Sequence, residues 1–328
     1  MEMEVLSRLR GTKRHMWQEL LQRSGLTADE SAEQTVLLWD DDRLAAAGSR
    51  QGNLLKCIAV DPDRQGDGLT ATLLTALRQE AFRDGHRHLF LYTKPENRAI
   101  FSSLFFYPIA QTEKVLLMED QKDGIRRFLE GLPVRSCSGD VGSVVMNCNP
   151  FTLGHRWLIE TAAASCEHLY VFVLSEDKSR FSAADRLEMV RLGTADLSNV
   201  TVLPTGPYLI SSATFPTYFL KERDSAPDIH CALDLEIFTR YFVPRFSITH
   251  RFVGTEPLSP ATGRYNDALK AHLPPRGVSL LELPRPEQAG QPVSASAVRA
   301  LLDSGDISSV RALVPPTTFD YLQARGLL

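Results

Sequence analysis

The chain has 328 residues, 43% of them hydrophobic and 23% charged, and a formal net charge of −4 from 36 Lys and Arg against 40 Asp and Glu. That length suggests two domains of ordinary globular composition, and with neither half basic, a nucleic-acid or anionic-membrane surface is not indicated. No apolar run approaches the roughly 20 residues of a membrane helix, and MEMEVLSRLRGTKRHMW lacks a signal-peptide core, so a cytoplasmic chain without membrane or nucleic-acid partners is expected.

In chain order, residues 1–34 carry helical-looking polar stretches. TVLLWD, an acidic turn at Asp40–Asp42, LAAAGSRQG and LLKCIAV then read as a strand meander. A helix is predicted over Leu69–Arg83, a strand at 88–94, a short helix over Ile100–Leu104 and a strand at 114–118. The polar, Gly-containing stretch 119–140 has one amphipathic turn, and the linker is placed at 131–140. Strands follow at 142–148, 168–175, in NVTVLPT, at Ser247–Gly254 and at 278–285. Helices follow in GHRWLIETAAAS, SAADRLEMVRLGT, at 294–304 behind Ser294, and after Pro315–Pro316. TFPTYFLKERD also reads as a helix despite Pro216. Strands alternating with helices predict a doubly wound parallel sheet for this half.

Cys57, Cys137, Cys148, Cys166 and Cys231 are odd in number and show no CxxC spacing, so neither disulfides nor a zinc site is expected. The histidines His86, His88, His168, His230, His250 and His272 show no metal spacing, and Trp17, Trp39 and Trp157 read as packing residues.

VVMNCNPFTLGHRWLIE, 144–160, is a buried strand running through a tight turn into a helix, with Gly154 at the helix mouth. Open α/β sheets bind ligands at the carboxyl ends of such strands, and helix N-terminal amides favour phosphate. Thr152 and His155, three residues apart, fall on one face, where a hydroxyl and an imidazole can donate to phosphate oxygens. A protonated His155 would also offset charge growing on an α-phosphate. The plain alternative is a capping Thr beside a surface His.

This segment resembles the TxGH/HxGH signature of the nucleotidyltransferase superfamily, which cleaves ATP between its α- and β-phosphates. The superfamily's second signature has its match in VSASAVRALL, with Ser294, Ser296 and Arg299; the resemblance implies that Arg299 meets the leaving phosphates. DKSRFSAADRLEMV resembles a lysine-bearing loop of phosphopantetheine adenylyltransferases, making Lys178 a phosphate contact. Longer stretches, including GTADLSNVTVLPTGPYLISSATFPTYFLK and ITHRFVGTEPLSPATGRYN, resemble citrate lyase ligases and cover most of 142–302. The resemblance implies an AMP-forming acid–thiol ligase. ATP and acetate would give acetyl-AMP and pyrophosphate, with Mg²⁺ on the phosphates. The acetyl group would then pass to the dephospho-CoA-derived thiol of the citrate lyase acyl carrier (gamma) subunit. Catalytic roles would fall to His155, Thr152, Lys178 and Arg299. ATP binding would involve Asn147, Asn149, Pro150, Phe151, Thr152, Gly154, His155, Gly254, Thr255, Glu256, Ser294, Ser296 and Arg299. Arg251 and Arg264 are further candidates for a phosphate of the acceptor.

CIAVDPDRQGDGLTATLLTAL, 57–77, resembles the acetyl-CoA-binding motif of GNAT acetyltransferases, with Gln65, Gly66 and Gly68 at a helix N-terminus. Thr70 replaces the usual small residue and Asp67 adds a negative charge. In KPENRAIFSSLFFYPI, Asn97 matches loosely, Phe101 stands where a general-acid Tyr is usual, and Phe105 where Gly is usual. Phenylalanine cannot protonate a thiolate; Tyr107 is the nearby substitute. Val60, Gln65, Gly66, Gly68 and Asn97 are thus candidates for holding a CoA-like arm without transferring from it. The expected architecture is an α+β GNAT-like domain over 1–130, a linker at 131–140, and a Rossmann-like nucleotidyltransferase domain over 141–328. The rival functions are adenylyl transfer to a phosphopantetheine-like or mononucleotide acceptor, and acetyl transfer from acetyl-CoA by the first half.

Overall fold

The computed structural model describes residues 1–176, 179–210, 215–220, 226–255, 260–284, 287–288 and 291–328. The chain divides into two compact units, one of 1–124 with 215–233, the other of 125–214 with 234–328.

In the first unit, β1 (Glu2–Leu6), β2 (Gln34–Asp40), β3 (Arg43–Gln51), β4 (Leu54–Val60), β5 (Phe90–Thr93), β6 (Tyr107–Gln111) and β7 (Leu116–Glu119) form one sheet, in the order β1-β2-β3-β4-β5-β7-β6. Its helices before residue 124 are α1 (Gly11–Arg23), α2 (Leu69–Arg83) and α3 (Arg98–Ser103), and residues 226–233 of a later helix also belong to it. Leu69, Leu73, Leu74, Ala76 and Leu77 give α2 one apolar face, which joins a buried core with Val36, Leu38, Ala45 and Leu55. β4 and β5 run parallel but pair only at Leu54↔Phe90 and Leu55↔Leu91. Beyond that point they part, and the opening is the unit's cleft.

The rest of the chain supplies α4 (Gly124–Glu130), β8 (Val141–Met146), α5 (Leu153–Ala164), β9 (His168–Val173), α6 (Ala183–Gly193), β10 (Val200–Pro204), α7 (Ala226–Ile237), α8 (Val243–Phe246), β11 (His250–Gly254), α9 (Pro260–His272), β12 (Ser279–Leu283), the short pair β13 (Glu287–Gln288) and β14 (Gln291–Pro292), α10 (Ala295–Ser304), α11 (Ile307–Leu313) and α12 (Pro316–Ala324). Five parallel strands are ordered β10-β9-β8-β11-β12. Chain order reverses between β8 and β11, which places the binding crevice at their carboxyl ends. All six residues of β9 are buried, as expected for a strand covered on both faces.

Several expectations are corrected. The N-terminus opens with β1, not a helix. TFPTYFLKERD is not helical over its described part, 215–220, which forms a turn where Pro216 forbids a continuous ladder. Compactness does not follow a cut at 131–140: residues 215–233 belong to the first unit. The expected linker is itself tied to the second unit, through Arg135 N donating to the Tyr170 hydroxyl (2.7 Å) and Ser138 N to Glu167 (3.1 Å). All five cysteines are free thiols, and burial pushes the Cys57 thiol up to about 12. No helix among the described residues is long and apolar enough to cross a membrane.

Candidate active site

The turn between β8 and α5 is held by two arginines. Arg186, on α6, is fully buried. It donates to the carbonyls of Asn147 (2.9 Å), Leu174 (2.8 Å), Phe181 (3.2 Å) and Glu176, and to Asn147 Oδ1. Five acceptors around one guanidinium offset its desolvation and fasten the ends of β8 and β9 to the start of α6. Arg299, on α10, donates through Nη1 to the Asn149 carbonyl (2.6 Å) and through Nη2 to Ser296 Oγ (3.0 Å). Asn149 Oδ1 accepts from Phe181 N (3.3 Å), and Asn147 Nδ2 donates to Ser179 Oγ (3.3 Å).

Thr152 caps α5, and His155 returns the cap. Thr152 N donates to His155 Nδ1 (3.1 Å), His155 N donates to Thr152 Oγ1 (3.4 Å), and Oγ1 lies 3.0 Å from Nδ1. The imidazole stands where a capping box usually places a carboxylate. A backbone N–H can only donate, so Nδ1 is an acceptor and the ring proton sits on Nε2. A second proton on Nδ1 would face the Thr152 N–H. Thr152 is 1% exposed, and its hydroxyl is engaged in the cap.

Gly154 is where the two signatures meet. A Cβ there would lie 2.8 Å from the Val293 carbonyl, the residue before Ser294. Ser294 caps α10 by accepting from Ala297 N (3.1 Å). Thr152, Gly154, His155, Gly254 and Ser294 therefore line one cleft, together with Trp157, Leu158, Val293 and Ala295. Two helix N-termini and an imidazole N–H border the cleft, an arrangement that favours an anion.

The remaining candidates lie elsewhere. Phe151 is fully buried, packed against Gly193 and stacked on His155 at 6.0 Å, so its side chain is core and not a nucleotide contact. Asn149 and Pro150 are also buried, and Asn147 is turned to Arg186. Thr255 continues the β12 ladder through Leu283 O (2.8 Å). Arg251 is 3% exposed and is not a surface phosphate ligand; Arg264 is exposed on α9. Lys178 and Glu256 lie outside the described residues. Sequence reasoning missed Arg186, which only the fold gathers with its carbonyls. Trp157, read from the sequence as packing, also lines the cleft. No group of three His, Cys, Asp or Glu that could hold a metal occurs among the described residues.

In the first unit, Val60, Gln65, Gly66, Gly68 and Asn97 line one cleft of about 730 Å³. Gly66 (φ +97°) and Gly68 (φ +76°) adopt left-handed backbone, and Gly68 starts α2 without a side-chain cap, leaving amides open there. Asp67 is paired with Arg64 (2.7 Å). Phe101 lines the cleft, and Tyr107 does not. Tyr218 and Phe219 complete the wall. The buried Tyr218 hydroxyl donates to the Tyr92 carbonyl (2.5 Å) on β5, and Tyr218 O accepts from Thr27 N (2.8 Å).

A family model described as the citrate lyase ligase C-terminal domain matches residues 141–322, and one for the GNAT acetyltransferase family matches 3–101. A citrate (pro-3S)-lyase ligase of Klebsiella pneumoniae is 43% identical over 316 residues, covering 94% of this chain and 92% of that protein. That of Escherichia coli (strain K12) is 40% identical, covering 93% and 89%. That of Haemophilus influenzae is 37% identical, covering 94% and 95%.

Proposed function

The chain belongs to the citrate lyase ligase family, and from that premise we propose that it activates acetate with ATP and acetylates the thiol arm of the citrate lyase acyl carrier. An acetate oxygen attacks the α-phosphorus, the bond to the β-phosphate breaks and pyrophosphate leaves, giving acetyl-AMP. The arm's thiolate then attacks the acetyl carbonyl, AMP leaves and a thioester remains.

The observation that carries the reading is the meeting of TxGH and VSASAVR at Gly154 and Val293, which opens two helix N-termini onto one cleft. His155 Nε2–H donates to an α-phosphate oxygen as its charge grows. Thr152 and Phe151 hold the ring in that orientation. The open amides at the starts of α5 and α10 accept the remaining phosphate charge. Arg299 fixes the Asn149 carbonyl and so the turn under the phosphates. Mg²⁺ would arrive with the triphosphate and offset charge on the leaving pyrophosphate, while the described residues of the cleft supply no carboxylate to hold it. The first unit holds the CoA-like arm of the acceptor in its cleft, with phosphate at the start of α2. With Phe101 in place of an acid, it does not transfer acetyl groups itself.

ATP–pyrophosphate exchange tests this. The wild-type protein should exchange label only with acetate present, and His155→Ala should lower the rate by roughly 100-fold or more. Acetate-independent exchange that requires a phosphopantetheine-type acceptor would replace the ligase reading with adenylyl transfer.

A further inference from the structure

The cleft of the first unit is open at one end and closed at the other. At the open end Gln65, Gly66 and Gly68 are exposed at the start of α2. At the other end β4 and β5 have parted beyond Leu55 and Leu91. Tyr92, the first residue of β5 past the paired stretch, has no strand partner there to continue the ladder. Its carbonyl accepts instead from the Tyr218 hydroxyl (2.5 Å). Cys57, on β4, acts through space on the same phenol, so the ring stands between the two strands. Thr27 N donates to the Tyr218 carbonyl (2.8 Å) and fixes the backbone behind it.

Tyr218 and Phe219 both line the cleft yet are buried. Phe219 packs edge-on against Tyr218 (5.2 Å) and Phe215 (6.2 Å), and Phe215 edge-on against Tyr92 (5.7 Å). Rings packed in this way give no room to added methylenes unless they are displaced. Ser24 lines the same cleft, and its Oγ is shielded from solvent with no hydrogen-bond partner. The next residue places it at the closed end: a Cβ on Gly25 would lie 3.6 Å from Nζ of Lys94, which follows β5. A buried hydroxyl left without a partner is costly, and a ligand carbonyl would satisfy it.

We propose that this cleft is a blind pocket for a phosphopantetheine-type thiol, closed by Tyr218 and Phe219, with Ser24 receiving the acyl carbonyl, and that it admits a free thiol or an acetyl thioester but no longer acyl group. The proposal rests on the arm-holding reading above and adds the limit on what the arm carries. Phosphate stays at the open glycine turn, and the sulfur end runs between the parted strands toward the rings. The Ser24 hydroxyl donates to the thioester oxygen. Sulfur is a weak acceptor, so a free thiol gains little from it. The rings also deny a second substrate access to the sulfur, so the arm leaves by the end it entered.

The test is calorimetric titration of the full-length protein with dephospho-CoA, its acetyl thioester and its butyryl thioester. The first two should bind, and the butyryl form should bind at least roughly 10-fold more weakly than the acetyl form. Phe219→Ala, with Phe219→Leu as the milder change and thermal melts to confirm folding, should bring the butyryl form to within about threefold of the acetyl form. Ser24→Ala should weaken the acetyl form roughly 3- to 10-fold and leave the thiol form unchanged. If wild type binds the thiol but takes acetyl and butyryl forms equally, the size limit falls while the arm-holding reading stands. Equal losses for thiol and acetyl forms in Ser24→Ala overturn the role of Ser24. No binding of any form overturns the arm-holding reading and the proposal with it. Bound dephospho-CoA should be displaced by the arm-bearing carrier subunit. A failure to displace it assigns the cleft to free coenzyme and overturns the arm-holding reading, leaving the size limit to be decided by the thioester series.

Discussion

A Cβ on Gly154 would need the space that the Val293 carbonyl holds, 2.8 Å away. Alanine favours helix over glycine by about 1 kcal/mol, so a purely local view would have Gly154→Ala stabilise α5. The structure leads to the opposite expectation: the substitution pushes α10 and its Ser294 cap away from His155. Pyrophosphate exchange should fall by roughly 100-fold, as expected for a catalytic group displaced by about 1 Å, with little loss of secondary structure by circular dichroism. A Gly154→Ala protein with wild-type exchange would show that the two signatures need not touch. At this scale the sequence was informative where chemistry is local. TxGH sits at a strand-to-helix turn, and Ser294 is legible as a cap. Thr152 was legible both as phosphate ligand and as cap, and the structure shows its hydroxyl in the cap of α5. Arg186 was illegible because its acceptors come from three separate turns.

At the scale of elements, α12 docks on α6 through a buried carboxyl. Asp185 accepts from the Ser182 hydroxyl (2.6 Å) and the Tyr321 hydroxyl (2.8 Å). The Ser182 hydrogen bond, with Tyr321 and Arg325 adding to it against the effect of burial, holds this carboxyl below the usual range. A carboxyl with a depressed folded pKa stabilises the fold above its unfolded value of about 3.9, and that contribution is lost as pH falls through the folded value. Asp185→Asn should therefore cost about 1–3 kcal/mol near neutrality, measured by urea unfolding. The gap from wild type should close as the pH is taken down through the depressed pKa of the folded state. A gap independent of pH would mean that shape, not charge, docks α12. Most elements were legible from period and caps, whereas β1 was not. Its Met, Glu and Leu favour helix, and its strand state comes from antiparallel pairing with β2, from Glu2↔Trp39 to Leu6↔Thr35. TFPTYFLKERD failed for a related reason: its apolar residues wall a cleft and have no helical period to keep.

For the whole molecule, the family assignment carries the function, and the division into units carries a test of the architecture. Residues 215–233 complete the first unit, with Tyr218 capping the Tyr92 carbonyl and walling the cleft. A fragment of residues 1–130 lacks this wall. It should bind a hydrophobic dye and melt without cooperativity, unlike the intact chain, because apolar cleft surface and a buried carbonyl lose their cover. A sharp, dye-free melt of the fragment would show the first unit to be self-sufficient. The sequence concealed this because contact along the chain and contact in space part company at residue 215, and no local composition marks the return.

That return also sets a timetable for synthesis. A domain encoded first ordinarily folds first, while the ribosome is still adding later residues at about 5–20 per second. Here the last piece of the first unit emerges roughly a hundred residues after its final β-strand, a wait of roughly 5–20 s at that rate. Through that interval the cleft stands open-sided in the nascent chain, its apolar lining within reach of chaperones and of neighbouring nascent chains.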